Sequence, residues 1–185
     1  MDAFERLGGG ERALLVLAPR HPERWSGVVA GIEKLGLRVG RRSELDVPRF
    51  ETRASAGRGL DVLVLDSLGE LAAIYGLAAG AFIGGTLVAT GGHNPIEAAC
   101  HGVAIAAGPS MHNFREIEQI FDDREAWQRV RDSAELAAAW DSWIRNPRSA
   151  VELGRRAAEV FESNQGALAK TEAFLASHLS EDFSK

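Results

Sequence analysis

The stretch Gly84-Gly85-Thr86-Leu87-Val88-Ala89-Thr90-Gly91-Gly92-His93-Asn94-Pro95-Ile96-Glu97 decides how the rest of the chain is read. It follows a short apolar run, Ala81 to Ile83, and opens onto a helical pattern from Pro95 to His101. Its glycines permit tight turns and let a ligand come close to the backbone. Asn94 is a favoured helix N-cap, Pro95 suits the first helical position, and Glu97 completes a capping box. A strand, a glycine-rich loop and a capped helix start point N–H groups and a helix dipole at one spot, and such a spot holds an anion.

On either side of this stretch, strand and helix patterns alternate. Ala13 to Ala18, Leu37 to Arg41, Asp61 to Leu65 and Val103 to Ala107 are apolar runs of strand length, and Trp127 to Val130 adds a short sixth. The helical patterns between them run from Glu23 to Lys34, with Trp25, Val28, Val29 and Ile32 on one face, from Leu68 to Ala78, and from Phe114 to Phe121. Gly36 closes the first of these, and Ser43 to Gly59 is a long polar loop. From Ser133 onward the pattern is helix alone: Ala134 to Ile144, Arg148 to Glu162 and Ala167 to Leu179, with breaks at Asn146-Pro147 and Asn164-Gln165-Gly166. Alternating strands and helices predict a Rossmann-like α/β fold with a doubly wound parallel sheet, here followed by a helical C-terminal tail. The expected division is residues 1–163 for the Rossmann-like domain and 164–185 for the tail.

The totals bound the function. The 185 residues are 45% hydrophobic and 25% charged, an ordinary balance for a soluble globular domain with a real core. A net charge of -5 argues against a nucleic-acid partner, which calls for excess Lys and Arg. The one cysteine, Cys100, forms no internal disulfide, and no Cys/His cluster has zinc-ligand spacing, so no metal site is expected. The longest apolar run, residues 77 to 90, is broken by glycines and reads as buried strand and loop, not as a membrane span.

GGTLVATGGHNPIEAA resembles the signature of bacterial Kdo transferases, which move 3-deoxy-manno-octulosonate from CMP-Kdo onto lipid A precursor. The resemblance continues in LAPRHPER (Leu17 to Arg24), LDSLGEL (Leu65 to Leu71) and GPSMHNFREI (Gly108 to Ile117), and so covers nearly the whole chain in order. The last segment departs from the family at Ser110, where histidine is usual, and at His112, where an aromatic is common.

The resemblance implies the C-terminal, donor-binding half of a GT-B glycosyltransferase acting in lipopolysaccharide biosynthesis. It implies an inverting, metal-independent reaction with no cofactor beyond the donor, CMP-Kdo. Acceptor lipid and general base would belong to an N-terminal domain absent from this chain, so no catalytic residue is expected here. The full-length protein would sit on the cytoplasmic face of the inner membrane, while this chain would be soluble and inactive alone. The C-terminal helices are candidates for contact with the missing domain or a neighbouring chain, and Phe174, Leu175 and Leu179 should then be partly exposed.

The candidate donor-binding residues are Arg20, His21, Ser67, Gly69, Glu70, Gly91, Gly92, His93, Asn94 and Glu97. The backbone from Gly92 to Asn94 is expected to meet the CMP phosphate, and Glu97 to accept hydrogen bonds from ribose hydroxyls. Arg20 offers a two-pronged guanidinium for phosphate or carboxylate. Ser67-x-x-Glu70 and Asn113-x-x-Glu116 repeat the grammar of Asn94-x-x-Glu97, but no glycine nest accompanies them and plain helix capping is by itself the preferred account of both. Trp127, Trp140 and Trp143 fall on or beside helical apolar faces and are expected in packing. Cys100, His101 and His178 have no chemical partner nearby in sequence. Two other functions fit the same residues: a GT-B enzyme or epimerase using a UDP-sugar, and a non-enzymatic nucleotide-binding or partner-docking module.

Overall fold

Val62, Leu63 and Val64 form β3 (Val62–Val64), buried along its whole length. β1 (Leu15–Leu17) and β2 (Val39–Arg41) pair with it on either side, both parallel, in the order β1-β3-β2. A strand paired on both edges and covered on both faces must be apolar without alternation, which is how Asp61 to Leu65 reads. These strands belong to a computed structural model that describes residues 1–45 and 59–182, with side chains through Asn164.

The chain divides into two compact units, Met1–Ile74 with Ser133–Asp141, and Tyr75–Asp132 with Ser142–Lys185. The core of the first is Phe4, Ile32, Val62 and Val64, against which Leu15, Leu17, Val28, Val29, Val39 and Trp140 pack. Ile32, Val28 and Val29 come from α2 (Trp25–Lys34), so the predicted apolar face is the buried one. Gly36, at φ +74°, ends that helix, and its N–H donates to the Glu33 carbonyl. The first unit also contains α1 (Asp2–Leu7), which precedes the first predicted strand. Ala3, Phe4 and Leu7 are buried along one side of it, a stripe too short to stand out among charged neighbours.

In the second unit β5 (Ile105–Ala107) is central and fully buried, with β4 (Ala81–Phe82) and β6 (Gln128–Arg129) parallel on its two sides. Around it pack Ile83, Val103, Met111, Phe121 and Trp127, and Ala157 and Val160 from α7 (Pro147–Asp182). Burying a side chain such as Phe121, which is fully inaccessible, contributes about 1.5–3 kcal/mol. α7 comes so close to the turn after α4 (Ile96–Ala99) that a Cβ on Gly154 would overlap the Gly102 carbonyl. Trp127 lies 4.8 Å from Phe121 between ring centroids, and Trp143 is buried, so the tryptophans pack as expected.

All six predicted strands form, each within two residues of its expected limits, and the sheets are parallel. They hydrogen-bond as two separate three-stranded sheets, where the sequence pattern implied one continuous sheet. The predicted break at Asn164-Gln165-Gly166 does not interrupt the helix, because α7 runs on to Asp182. The Asn164 amide donates to the Val160 carbonyl at 2.9 Å within the helix, and a single interior glycine costs only about 1 kcal/mol. The break at Asn146-Pro147 is real and separates α6 (Ser133–Arg145) from α7. Of the predicted loop from Ser43 to Gly59, the structure describes Ser43 to Leu45 and Gly59; Arg42–Glu44 form a 3-10 turn, and residues 46–58 lie outside the described residues. The side chains of Phe174, Leu175, His178 and Leu179 also lie outside them. Among the described residues no helix is long and apolar enough to cross a membrane.

Candidate functional site

The second unit carries the glycine turn at the carboxyl end of β4. Gly85, Gly91 and Gly92 have φ of +74°, +87° and +72°, a left-handed conformation that side chains rarely adopt. The turn closes on itself where the Gly92 N–H donates to the Gly85 carbonyl at 3.2 Å and Thr90 Oγ donates to the same carbonyl at 2.9 Å. Asn94 Oδ1 accepts the Ile96 N–H at 3.0 Å, an Asx turn that leads into α4; the N-cap position is Pro95, one residue later than expected, and carries no side-chain cap. His93 stands over Gly84, its imidazole 3.4 Å from where a Cβ would be.

Two parts of the expectation change here. The Gly92 N–H is spent inside the turn and is not offered to a phosphate. The N–H of Asn94 has no hydrogen bond among the described residues and remains available. α4 is a single turn, so its dipole is small and the available N–H matters more than the helix field. Glu97 makes no return bond to Asn94, and Asn94 does not accept the Glu97 N–H, so the predicted capping box does not form and the Glu97 carboxylate stays exposed. Its negative charge is felt by Tyr75, whose hydroxyl is pushed above its ordinary pKa first by burial and then by Glu97.

A second loop holds the first. Thr86, fully buried, donates from its hydroxyl to the Ile83 carbonyl at 2.6 Å and accepts the Gly108 N–H at 2.8 Å. The Ser110 N–H donates to the Thr86 carbonyl at 2.9 Å, and the Ser110 hydroxyl accepts the Gly91 N–H at 3.2 Å. Asn113 donates its backbone N–H to the Gly91 carbonyl at 3.3 Å and its side-chain amide to the Thr90 carbonyl at 3.2 Å. Asn113 is therefore not the cap of a helix. The next helix, α5 (Arg115–Asp123), starts two residues later without a side-chain cap. Beside this loop an open cavity of about 430 Å³ is lined by Ser110, His112, Arg115, Glu118 and Asp122 among others. Its acidic wall is neutralised by Arg129, which donates to Glu118, to Asp122 at 3.0 Å and to the Gly108 carbonyl at 2.8 Å, with its guanidinium 4.4 Å over Trp127.

In the first unit the residues after β1 and β3 occupy the carboxyl ends of their strands. Arg20 is exposed and has no hydrogen bond or ion pair among the described residues. His21 is exposed too, its Nδ1 3.6 Å from Glu23. The turn is pinned by Trp25, whose Nε1–H donates to the Pro19 carbonyl at 2.9 Å.

Ser67 and Glu70 do not form a capping box. The Ser67 hydroxyl donates directly to the Glu70 carboxylate, and α3 (Leu71–Tyr75) begins only after both. The other oxygen of Glu70 receives Arg42 Nη2 at 2.6 Å. Asp66, nearly inaccessible, accepts the Ser43 N–H at 2.8 Å and its hydroxyl at 2.7 Å. Burial alone would raise the Asp66 pKa, but the Ser43 bonds and the nearby Arg41 outweigh it and hold the carboxyl below its ordinary value. Gly69, at φ +82°, has open space beside its Cα, as a backbone accessible to a ligand requires. Arg42 and Ser43 were missed because they sit at the head of a long polar loop. Their position just after a strand was the available signal.

Parallel strands with helices between them, in each of the two units, place the chain in the α/β class, in which ligands bind at the carboxyl ends of the strands. A scan against protein-family models finds no match. The chain is 35% identical over 156 residues to the 3-deoxy-D-manno-octulosonic acid transferase of Haemophilus influenzae, covering 84% of this chain and 35% of that protein. It is 33% identical over 137 residues to the enzyme of the same name from Aquifex aeolicus, covering 74% of this chain and 35% of that one. Among solved structures it resembles the C-terminal CMP-Kdo binding domain of WaaA from Acinetobacter baumannii, with a TM-score of 0.73 and 30% identity over 86% of this chain and 79% of that domain. The chain belongs to the 3-deoxy-D-manno-octulosonic acid (Kdo) transferase family. It spans about a third of the length of the curated relatives it matches.

Proposed function

We propose that this chain is the donor-binding part of a Kdo transferase and takes CMP-Kdo or CMP. The observation that carries this reading is the correspondence, over 86% of the chain, with a domain described as CMP-Kdo binding. In the second unit, the cytidylate phosphate meets the Asn94 N–H and the His93 imidazole beside the Gly91-Gly92 turn. The exposed Glu97 carboxylate accepts hydrogen bonds from ribose hydroxyls. In the first unit, Arg20 and His21 present cationic and hydrogen-bonding groups to an anion, and Ser67 and Gly69 line the edge of the sheet. Glu70 acts by holding Arg42, not by touching a ligand.

The full-length protein, in this reading, transfers Kdo to a lipid A precursor with inversion and without a metal, on the cytoplasmic face of the inner membrane. Attack by an acceptor hydroxyl calls for a general base. Among the described residues the buried or bonded carboxylates are committed elsewhere: Glu70 to Arg42 and Ser67, Asp66 to Ser43. In this reading the base belongs to the acceptor-binding part of the full-length protein, and the donor-binding part by itself binds donor and does not turn it over.

The test is a thermal-shift titration. CMP should raise the unfolding midpoint with concentration, as any ligand selective for the folded state does. Stronger stabilisation by UDP would favour a UDP-sugar enzyme instead, and no shift with either nucleotide would favour a docking module.

A further inference from the structure

We propose that Ser110 and Asn113 are positioning residues that set the shape of the glycine turn and thereby tune nucleotide affinity, although neither touches the ligand. The proposal rests on the donor-binding reading above. Left-handed glycines are chosen for conformational freedom, and the same freedom lets a turn sample many shapes when nothing holds it. Here two consecutive residues of the turn, Thr90 and Gly91, are held from outside by three hydrogen bonds. Ser110 takes the Gly91 N–H, the Asn113 backbone takes the Gly91 carbonyl, and the Asn113 side chain takes the Thr90 carbonyl.

The packing is equally close. A Cβ on Gly91 would overlap the Asn113 amide, and one on Gly92 would meet Met111 Sδ at 2.6 Å and the Ser110 carbonyl at 2.9 Å. The turn and the 110–113 segment thus fit only as a pair. Met111 is buried at 1% exposure and anchors that segment in the core, so the constraint is referred back to a rigid body and not to another loop.

The consequence is pre-organisation. The Gly91 peptide cannot rotate without breaking bonds on both of its sides, so the Asn94 N–H two peptides beyond Gly92 is presented in one direction. A turn ordered before binding loses less entropy when ligand arrives, and this appears as affinity without any added contact. Ser110 also lines the adjoining cavity, so the same hydroxyl links the wall of that cavity to the turn.

The experiment measures CMP affinity by calorimetry for the chain and for Ser110→Ala, Ser110→Thr and Asn113→Asp, with hydrogen exchange at the Gly91 amide read by NMR in the absence of ligand. Asn113→Asp keeps the size of the side chain but removes the donor to Thr90. Ser110→Ala and Asn113→Asp should each weaken CMP binding about five- to tenfold while the proteins stay folded. Ser110→Ala should also speed Gly91 exchange, and Ser110→Thr, which keeps the hydroxyl, should restore both. Unchanged affinity in Ser110→Ala alongside binding by the parent chain would overturn the positioning role and leave the donor-binding reading intact. Failure of the parent chain to bind CMP would overturn both.

Discussion

The side-chain amide of Asn113 fills the space that a Cβ on Gly91 would need, so the two residues are complementary in shape as well as joined by a hydrogen bond. A Gly91→Ala variant therefore meets two penalties: the overlap, and the left-handed φ of +87°. The conformational part alone is about 1–2 kcal/mol. Thermal unfolding should show a loss of at least this size, and combining it with Asn113→Ala should recover the steric part only.

Glu97 separates ligand contact from fold maintenance. Its carboxylate is exposed and takes no hydrogen bond among the described residues, so Glu97→Gln should leave the unfolding midpoint within a degree or two of the parent, about 0.5 kcal/mol or less. The same change should weaken CMP binding about tenfold, the loss expected for one charge-assisted hydrogen bond. Calorimetry of the variant reads both.

Arg42 and Glu70 should behave oppositely. Their ion pair at 2.6 Å is partly shielded from solvent and reinforced by Ser67. A double-mutant cycle with Arg42→Ala and Glu70→Ala should return a coupling of about 0.5–1 kcal/mol in urea unfolding. Additive effects would show that the pair contributes nothing.

Glycines on two helices give a matched contrast. Gly154 has the Gly102 carbonyl where its Cβ would go, so Gly154→Ala should destabilise by about 1–3 kcal/mol. Gly31, within α2, has nothing within 4 Å of its Cβ position, so Gly31→Ala should stabilise by about 0.5–1 kcal/mol. Denaturant midpoints decide both.

Asp66 predicts a pH dependence. Its folded pKa is lowered, so the unfolded chain binds its proton first as the pH falls. The stability it contributes is complete above the ordinary aspartate value, about pH 4, and is lost as the pH drops through the lowered folded value. At pH 7 Asp66→Asn should cost about 1–3 kcal/mol, and the gap from the parent should narrow toward pH 3. A gap that stays constant from pH 7 to pH 3 would contradict the assignment.

These residues also show what was legible in the sequence. The strands could be read because a central parallel strand leaves an uninterrupted apolar run bounded by glycine, proline or charge, as at Val62–Val64 and Ile105–Ala107. The glycine turn could be read because its φ values admit few other residues. The partners of polar side chains could not. Ser67, Asn94 and Asn113 share one local pattern, yet they bond differently: Ser67 to Glu70, Asn94 to the Ile96 N–H in an Asx turn, and Asn113 to Thr90. The bonds that redirect the surrounding side chains come from residues 19, 23 and 28 positions away, in Gly91–Ser110, Ser43–Asp66 and Arg42–Glu70. A pattern four residues long carries no record of those partners. α1 escaped for a related reason, since three apolar residues acquire meaning only against the core they meet.

The most direct test of donor binding is a heteronuclear NMR titration of the labelled chain with CMP. Saturable shift changes concentrated at Gly91, Gly92, His93, Asn94 and Glu97 are the predicted result. A saturable response that leaves these residues unmoved and appears elsewhere would contradict the account.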